Sequence, residues 1–179
     1  MIENSFGKRI IPVNEEERLR ALARYKLLDN VPEGYFINLA QIIAKTFDAP
    51  IALVSLVDKE EVNFPGNFGM EDITEVARGI SLCSLAVLDE EPTVFEDALK
   101  QPCLLANPLV TGEFGLRFYA GAPIVTSDGF AIGTVCIVDK EPRTFSHEEK
   151  AMLQDFANSA MGELEIRRTL IEEQMPLSR

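Results

Sequence analysis

Cysteine is scarce in this sequence, and the scarcity is informative. The 179 residues include three cysteines, Cys83, Cys103 and Cys136, odd in number and without a close pair. Neither a disulfide framework nor a CxxC metal or redox site follows from that spacing. Histidine is scarcer still: His147 stands alone, so clusters of histidine and cysteine at metal-binding spacing are absent. Basic residues number 17 against 29 acidic ones, a formal charge of −12. A surface of that sign repels phosphate backbones and anionic lipid, so neither nucleic acid nor membrane is expected as a partner. Long apolar runs are missing too. The longest, "APIALVSLV" at 49–57, is interrupted by Pro50 and Ser55 and falls far short of a membrane span. The opening "MIENSFGKRIIPVNEEE" lacks a secretory apolar core with a small-residue cleavage site, so a cytoplasmic location is expected. Phosphate-loop, nucleophile-elbow and dinucleotide glycine patterns do not occur. The many carboxylates show no spacing that selects a catalytic pair.

What is present is enough for one folded unit. A hydrophobic content of 46% supports a real core in a single domain of this length. We expect a flexible start over 1–13, one domain over 14–173 and a frayed tail over 174–179. Asn14 reads as the cap of a first helix whose three following glutamates face its partial positive end. Leu19, Leu22, Tyr25 and Leu28 then share a stripe. A second helix is expected from Pro32, with Phe36, Leu39, Ile43 and Phe47 inward. Residues 51–58 read as a buried strand, and the next strand carries Pro65, which requires an edge or a bulge. Ser81 reads as the cap of a short helix running through Cys83 to about Leu88, followed by a strand at 92–97. The 19 residues from Ala98 to Leu116 hold two prolines and two glycines, the signature of a binding loop or lid. Asp128-Gly129 marks a hairpin turn between two strands. Ser146 and Glu149 form a capping box ahead of a long helix with Leu153, Phe156, Ala160, Leu164 and Ile171 on its apolar side. Hairpins between flanking helices imply an α+β fold with a mainly antiparallel sheet.

Five phrases together carry a resemblance: "NEEERLRALARYKLLD", "APIALVSLVD", "SLCSLAVLDEEPTVFEDA", "ANPLVTGEFGLRFYAGAPI" and "IGTVCIVDKEPRTFSHEE". In these the chain resembles a GAF domain, and is most similar to the signalling subgroup found with sensor kinases and cyclic-dinucleotide cyclases. The resemblance implies a profilin/PAS-like central antiparallel sheet. Its N- and C-terminal helices would pack on one face and ligand-pocket loops on the other. It also implies a noncatalytic small-molecule sensor or regulator. No output domain follows Arg179, so we expect a stand-alone chain that signals to a separate output protein.

Strand alternation selects the candidate site. Arg117, Tyr119 and Gly121 share one side, while Phe118, Ala120 and Ala122 share the other and read as packing. Arg117 either pairs with Asp97 or Asp139 or holds an anionic ligand. Asn107, just before Pro108, reads as a loop-fixing cap ahead of a ligand contact. Three readings of Cys83 stand together. It could anchor a bilin, although Ser84 follows it where such sites have histidine. It could serve sulfoxide reduction of free methionine with Cys103 as partner, as in one GAF-fold enzyme family. It could simply pack in a pocket wall. Cys136, alternating with Thr134 and Val138, reads as core or pocket floor, and His147 as exposed. The expected ligand-binding set is Ser81, Cys83, Asn107, Arg117, Tyr119 and Thr134, with no catalytic or metal-binding residue. The sequence names no cofactor. The stripes on the terminal helices further suggest a homodimer. A free methionine sulfoxide reductase and a ligand-free dimerisation scaffold are the alternative functions.

Overall fold

Period-two alternation gives one sheet two apolar faces, and each is buried by a different kind of cover. The computed structural model describes residues 2–26, 34–70 and 72–174. Leu28, Pro32 and the tail from 175 lie outside them. Six strands, β1 (Ile51–Val57), β2 (Glu61–Phe68), β3 (Glu75–Ala77), β4 (Thr93–Phe95), β5 (Phe118–Val125) and β6 (Ala131–Asp139), lie in the order β3-β2-β1-β6-β5-β4. Every neighbouring pair is antiparallel, so the α+β expectation holds. Pro65 lies in β2 where the register with β1 shifts: Val54 pairs Gly66 and Leu56 pairs Asn63. Ser55 therefore faces both Phe64 and Pro65, the bulge that a missing amide calls for.

Helices α1 (Glu15–Lys26), α2 (Gly34–Phe47) and α5 (His147–Gln174) cover one face. Leu22 and Tyr25, then Phe36, Leu39, Ile43 and Phe47, then Leu153, Ala160 and Leu164 bury against Ala52, Val54, Phe118, Ala120 and Ile137. The capping box forms in both directions: Glu149 N–H donates to Ser146 Oγ at 3.1 Å and Ser146 N–H to Glu149 Oε1 at 3.1 Å. Irregular chain covers the other face. It includes α3 (Cys83–Ala86), two short 3-10 turns at Ala98–Lys100 and Pro102–Leu104, and α4 (Pro108–Thr111). Leu82, Leu85, Leu104, Val110 and Leu116 bury there against Leu53, Tyr119, Cys136 and Val138.

Four expectations change. Residues 2–13 are not a loose start, because Phe6 and Ile10 are buried in the loop-side core and Ser5 N–H donates to Gly79 O at 3.0 Å. Strand β3 was not expected: three mostly exposed residues are too few to show alternation. Ser81 does not cap α3 with its side chain. Leu82 holds that position, α3 ends at Ala86, and Ser81 contributes its carbonyl, which accepts from Ser84 N–H at 3.1 Å. The strand at 92–97 contracts to the three residues of β4.

Candidate functional site

The site is built where β1, β5 and β6 present small polar side chains to the loop side. Antiparallel register sets Ser55 opposite Thr134 and Gly121 opposite Cys136. Tyr119 precedes Gly121 by two residues on the same face. A Cβ on Gly121 would lie 2.3 Å from Tyr119 Oη, so the bare glycine is what lets the phenol lie across it. The first residue of α3 brings Cys83 down onto this floor.

Donors converge on its sulfur. Thr134 Oγ1–H donates to Cys83 Sγ at 3.3 Å and Tyr119 Oη–H at 3.4 Å. Cys136 Sγ lies 3.9 Å away. With its proton committed to Cys83, Thr134 Oγ1 accepts in turn from Ser55 Oγ at 2.7 Å, and Thr134 N–H donates to Ser55 Oγ at 3.2 Å. The hydrogen bond from Cys136 pulls the Cys83 thiol down to about 6 against burial, with Ser55, Thr134 and Tyr119 adding to the effect. Its partners move the other way. The bond to Cys83 and burial push Cys136 well up, while burial and the negative charge beside it raise Tyr119. The arrangement thus stabilises one thiolate between neutral donors.

Above this floor lies a cavity of about 40 Å³. Ser81, Cys83, Tyr119 and Cys136 line it together with Leu53 and Val138 of the sheet. Phe64 and Met70 close one side, and Leu109 and Phe114 reach in from the 98–116 segment. The walls are predominantly apolar, with a few polar groups that could orient a guest.

Three of the six residues expected from sequence line this cavity: Ser81, Cys83 and Tyr119. Thr134 stands just behind, touching the Cys83 sulfur. The other two are elsewhere. Asn107 caps α4, its Oδ1 accepting from Leu109 N–H at 2.9 Å, and its Nδ2 donates to Ser5 Oγ at 3.0 Å and Ile80 O at 2.8 Å. It fixes the loop. Arg117 is outside the cavity lining: its Nη1 donates to Val110 O at 2.9 Å and Leu116 O at 2.8 Å. Its backbone N–H, not its side chain, meets Asp139, through the carbonyl at 3.0 Å. Cys103 is half-buried at the edge of the loop-side core and does not line the cavity. His147 is exposed.

Sequence reading missed the strongest ionic feature. Glu15, at the start of α1, accepts from buried Arg18 at 2.9 Å and 3.0 Å and from buried Arg78 at 3.0 Å. Arg18 also donates to Val57 O at 2.7 Å, and Arg78 to Asp58 O at 3.1 Å. The idea that an arginine in an acidic chain finds a carboxylate was sound, but it applies to Arg18 and Arg78 rather than Arg117. A wider cleft of about 790 Å³ opens nearby, lined by Lys8, Arg9, Lys59 and Arg78 beside Glu15. Among the described residues, no group of three or more His, Cys, Asp or Glu could hold a metal ion. No described helix is long and apolar enough to cross a membrane.

Comparison with known proteins follows the same lines. The GAF domain family matches residues 32–164. The chain is 33% identical over 159 residues to the cyclic di-GMP phosphodiesterase PA2567 of Pseudomonas aeruginosa, an alignment covering 88% of this chain and 27% of that protein. It therefore spans about a quarter of that relative's length. Among solved structures, the GAF domain of a phosphoenolpyruvate-protein phosphotransferase from Coxiella burnetii superposes with a TM-score of 0.64 at 20% identity, covering 87% of this chain and 95% of that one. Free methionine-R-sulfoxide reductase from Neisseria meningitidis, in complex with its substrate, does so with a TM-score of 0.64 at 20% identity, covering 87% and 90%. At such identities the likeness speaks for the fold alone. Joined to the family match across most of the chain, the six-stranded sheet with helices on one face and loops on the other makes this protein a member of the GAF domain family.

Proposed function

We propose that this protein is a noncatalytic cytoplasmic sensor, working as a homodimer, that receives a small and largely uncharged molecule between its sheet and the 98–116 segment. GAF domains are a signalling and sensing family. The observation that carries the finer reading is the apolar cavity whose polar groups are Ser81, Cys83 and Tyr119. Its volume of about 40 Å³ is well below the roughly 300–1,000 Å³ of sites for drug-sized ligands. A nucleotide therefore requires the outer wall to move, whereas a molecule of a few heavy atoms does not. Arg117 no longer recommends an anionic ligand, since backbone carbonyls hold it.

The expected mechanism changes in one respect. Leu104, Val110 and Leu116 already bury themselves in the core, so the segment needs no ligand to fold. Binding acts instead by displacing Leu109 and Phe114, the side chains it directs at the cavity, and shifts a population of states rather than catalysing a reaction. Signal leaves the domain through the terminal helices. The reductase alternative through Cys83 and Cys103 loses support because Cys103 does not line the cavity that Cys83 lines.

A thermal-shift screen of small uncharged aliphatic and aromatic compounds tests the ligand class. A binder at a hundred times its Kd adds about 2.7 kcal/mol of stability, and Phe114→Ala should change which members bind. Stabilisation confined to charged nucleotides, unaltered in Phe114→Ala, would refute the assignment.

A further inference from the structure

We propose that Cys83 and Cys136 form a dithiol that hydrogen peroxide closes to an internal disulfide, tying the start of α3 to strand β6 across the cavity floor. This goes beyond the sensing reading and does not depend on it. Both sulfurs are free thiols, buried and 3.9 Å apart, and both cysteines line the same cavity. A bond of about 2.05 Å requires the two sulfurs, 3.9 Å apart, to approach one another by about 2 Å. A volume of about 40 Å³ admits a molecule of peroxide size, since a water needs only about 10–15 Å³ on the same measure.

The surroundings give the two sulfurs different tasks. Cys83 accepts hydrogen bonds from Thr134 and Tyr119, and these donors stabilise the negative charge that makes it the attacking thiolate. Cys136 keeps its proton and waits as the resolving partner. Cys83 Sγ attacks one peroxide oxygen, the O–O bond breaks, and the departing hydroxide takes the Cys136 proton to become water. The resulting Cys136 thiolate attacks the Cys83 sulfenic acid. An S–S bond forms, the S–O bond breaks, and the second hydroxide takes up the proton that Cys83 first released. Two thiols lose two electrons, one peroxide gains them, and two waters leave. Thr134 and Tyr119 then lose the thiolate they donated to, so the cavity floor must rearrange and the redox state is coupled to the shape of the pocket.

The test uses the full chain, reduced, freed of reductant, treated with hydrogen peroxide, then denatured and alkylated with N-ethylmaleimide. Before alkylation, intact mass should fall by two hydrogen atoms, and after it the adducts should number one, on Cys103, against the three of the reduced chain. Peptide mapping should recover a Cys83–Cys136 cross-link that dithiothreitol reverses. Cys103→Ser should still cross-link, and Cys136→Ser should stop at an oxygen adduct on Cys83. Wild-type protein that keeps all three thiols, links Cys103 instead, or oxidises Cys83 without a cross-link would overturn the proposal. Because the wild-type measurement decides, a poorly folding variant does not blunt it, and ligand retention is read separately.

Discussion

Gly121 determines where the Tyr119 phenol goes. With a Cβ built 2.3 Å from Oη and 2.7 Å from Cζ, Gly121→Ala must push the ring away from Cys83 or shift β5. We expect a loss of about 1–3 kcal/mol in chemical denaturation. Gly162→Ala is the contrast: its added methyl meets nothing within 4 Å on α5 and should gain about 0.5–1 kcal/mol. Equal effects from the two would contradict this account of the floor. Alternation made Tyr119, Thr134 and Cys136 legible in the sequence, because each stands inside a strand where the period of two holds. It failed for Arg117, which precedes the first residue of β5, so the pattern was extended past the element that enforces it. The proximity of Cys83 to Cys136 was not legible either. A contact 53 positions apart depends on how α3 docks, which no local period records.

At the scale of elements, the Glu15 cluster fastens α1 to the loops after β1 and β3. Glu15→Gln leaves Arg18 and Arg78 buried without their carboxylate, and breaking such a pair costs about 3–5 kcal/mol. Burial alone would push the Glu15 carboxyl up, but hydrogen bonds from Arg78 and Arg18 outweigh it and hold the group below its ordinary 4.5. With the folded value depressed, the stabilisation is full above about 4.5 and is lost as pH falls through the folded value. Urea midpoints should therefore separate wild type from Glu15→Gln at neutral pH and converge in acid. A gap that persists unchanged into strong acid would show that the carboxylate charge is not what matters. Helices were readable because their apolar spacing is long and their caps are chemical, as at Ser146 and Glu149. Short β3 and the packed 2–13 segment were not, since a few residues carry no period and Phe6 and Ile10 look like isolated apolar residues until the core they complete is known.

For the whole molecule, the length of α5 is what points outward. Its 28 residues run about 42 Å, against about 30 Å for the nine residues of β6. Its last buried residue is Leu164, while Ile166 and Leu170 beyond it are 57% and 51% exposed. In the proposed dimer these side chains meet their copies, and in the proposed mechanism the same helix carries the cavity's state out of the domain. Native mass spectrometry of the full chain purified from its own host reads both halves of that claim at once. The expected result is a dimer carrying a small molecule that denaturant releases, with Leu170→Glu giving monomer and Phe114→Ala retaining less of the ligand. A bare monomer, unchanged by either substitution, would contradict the account.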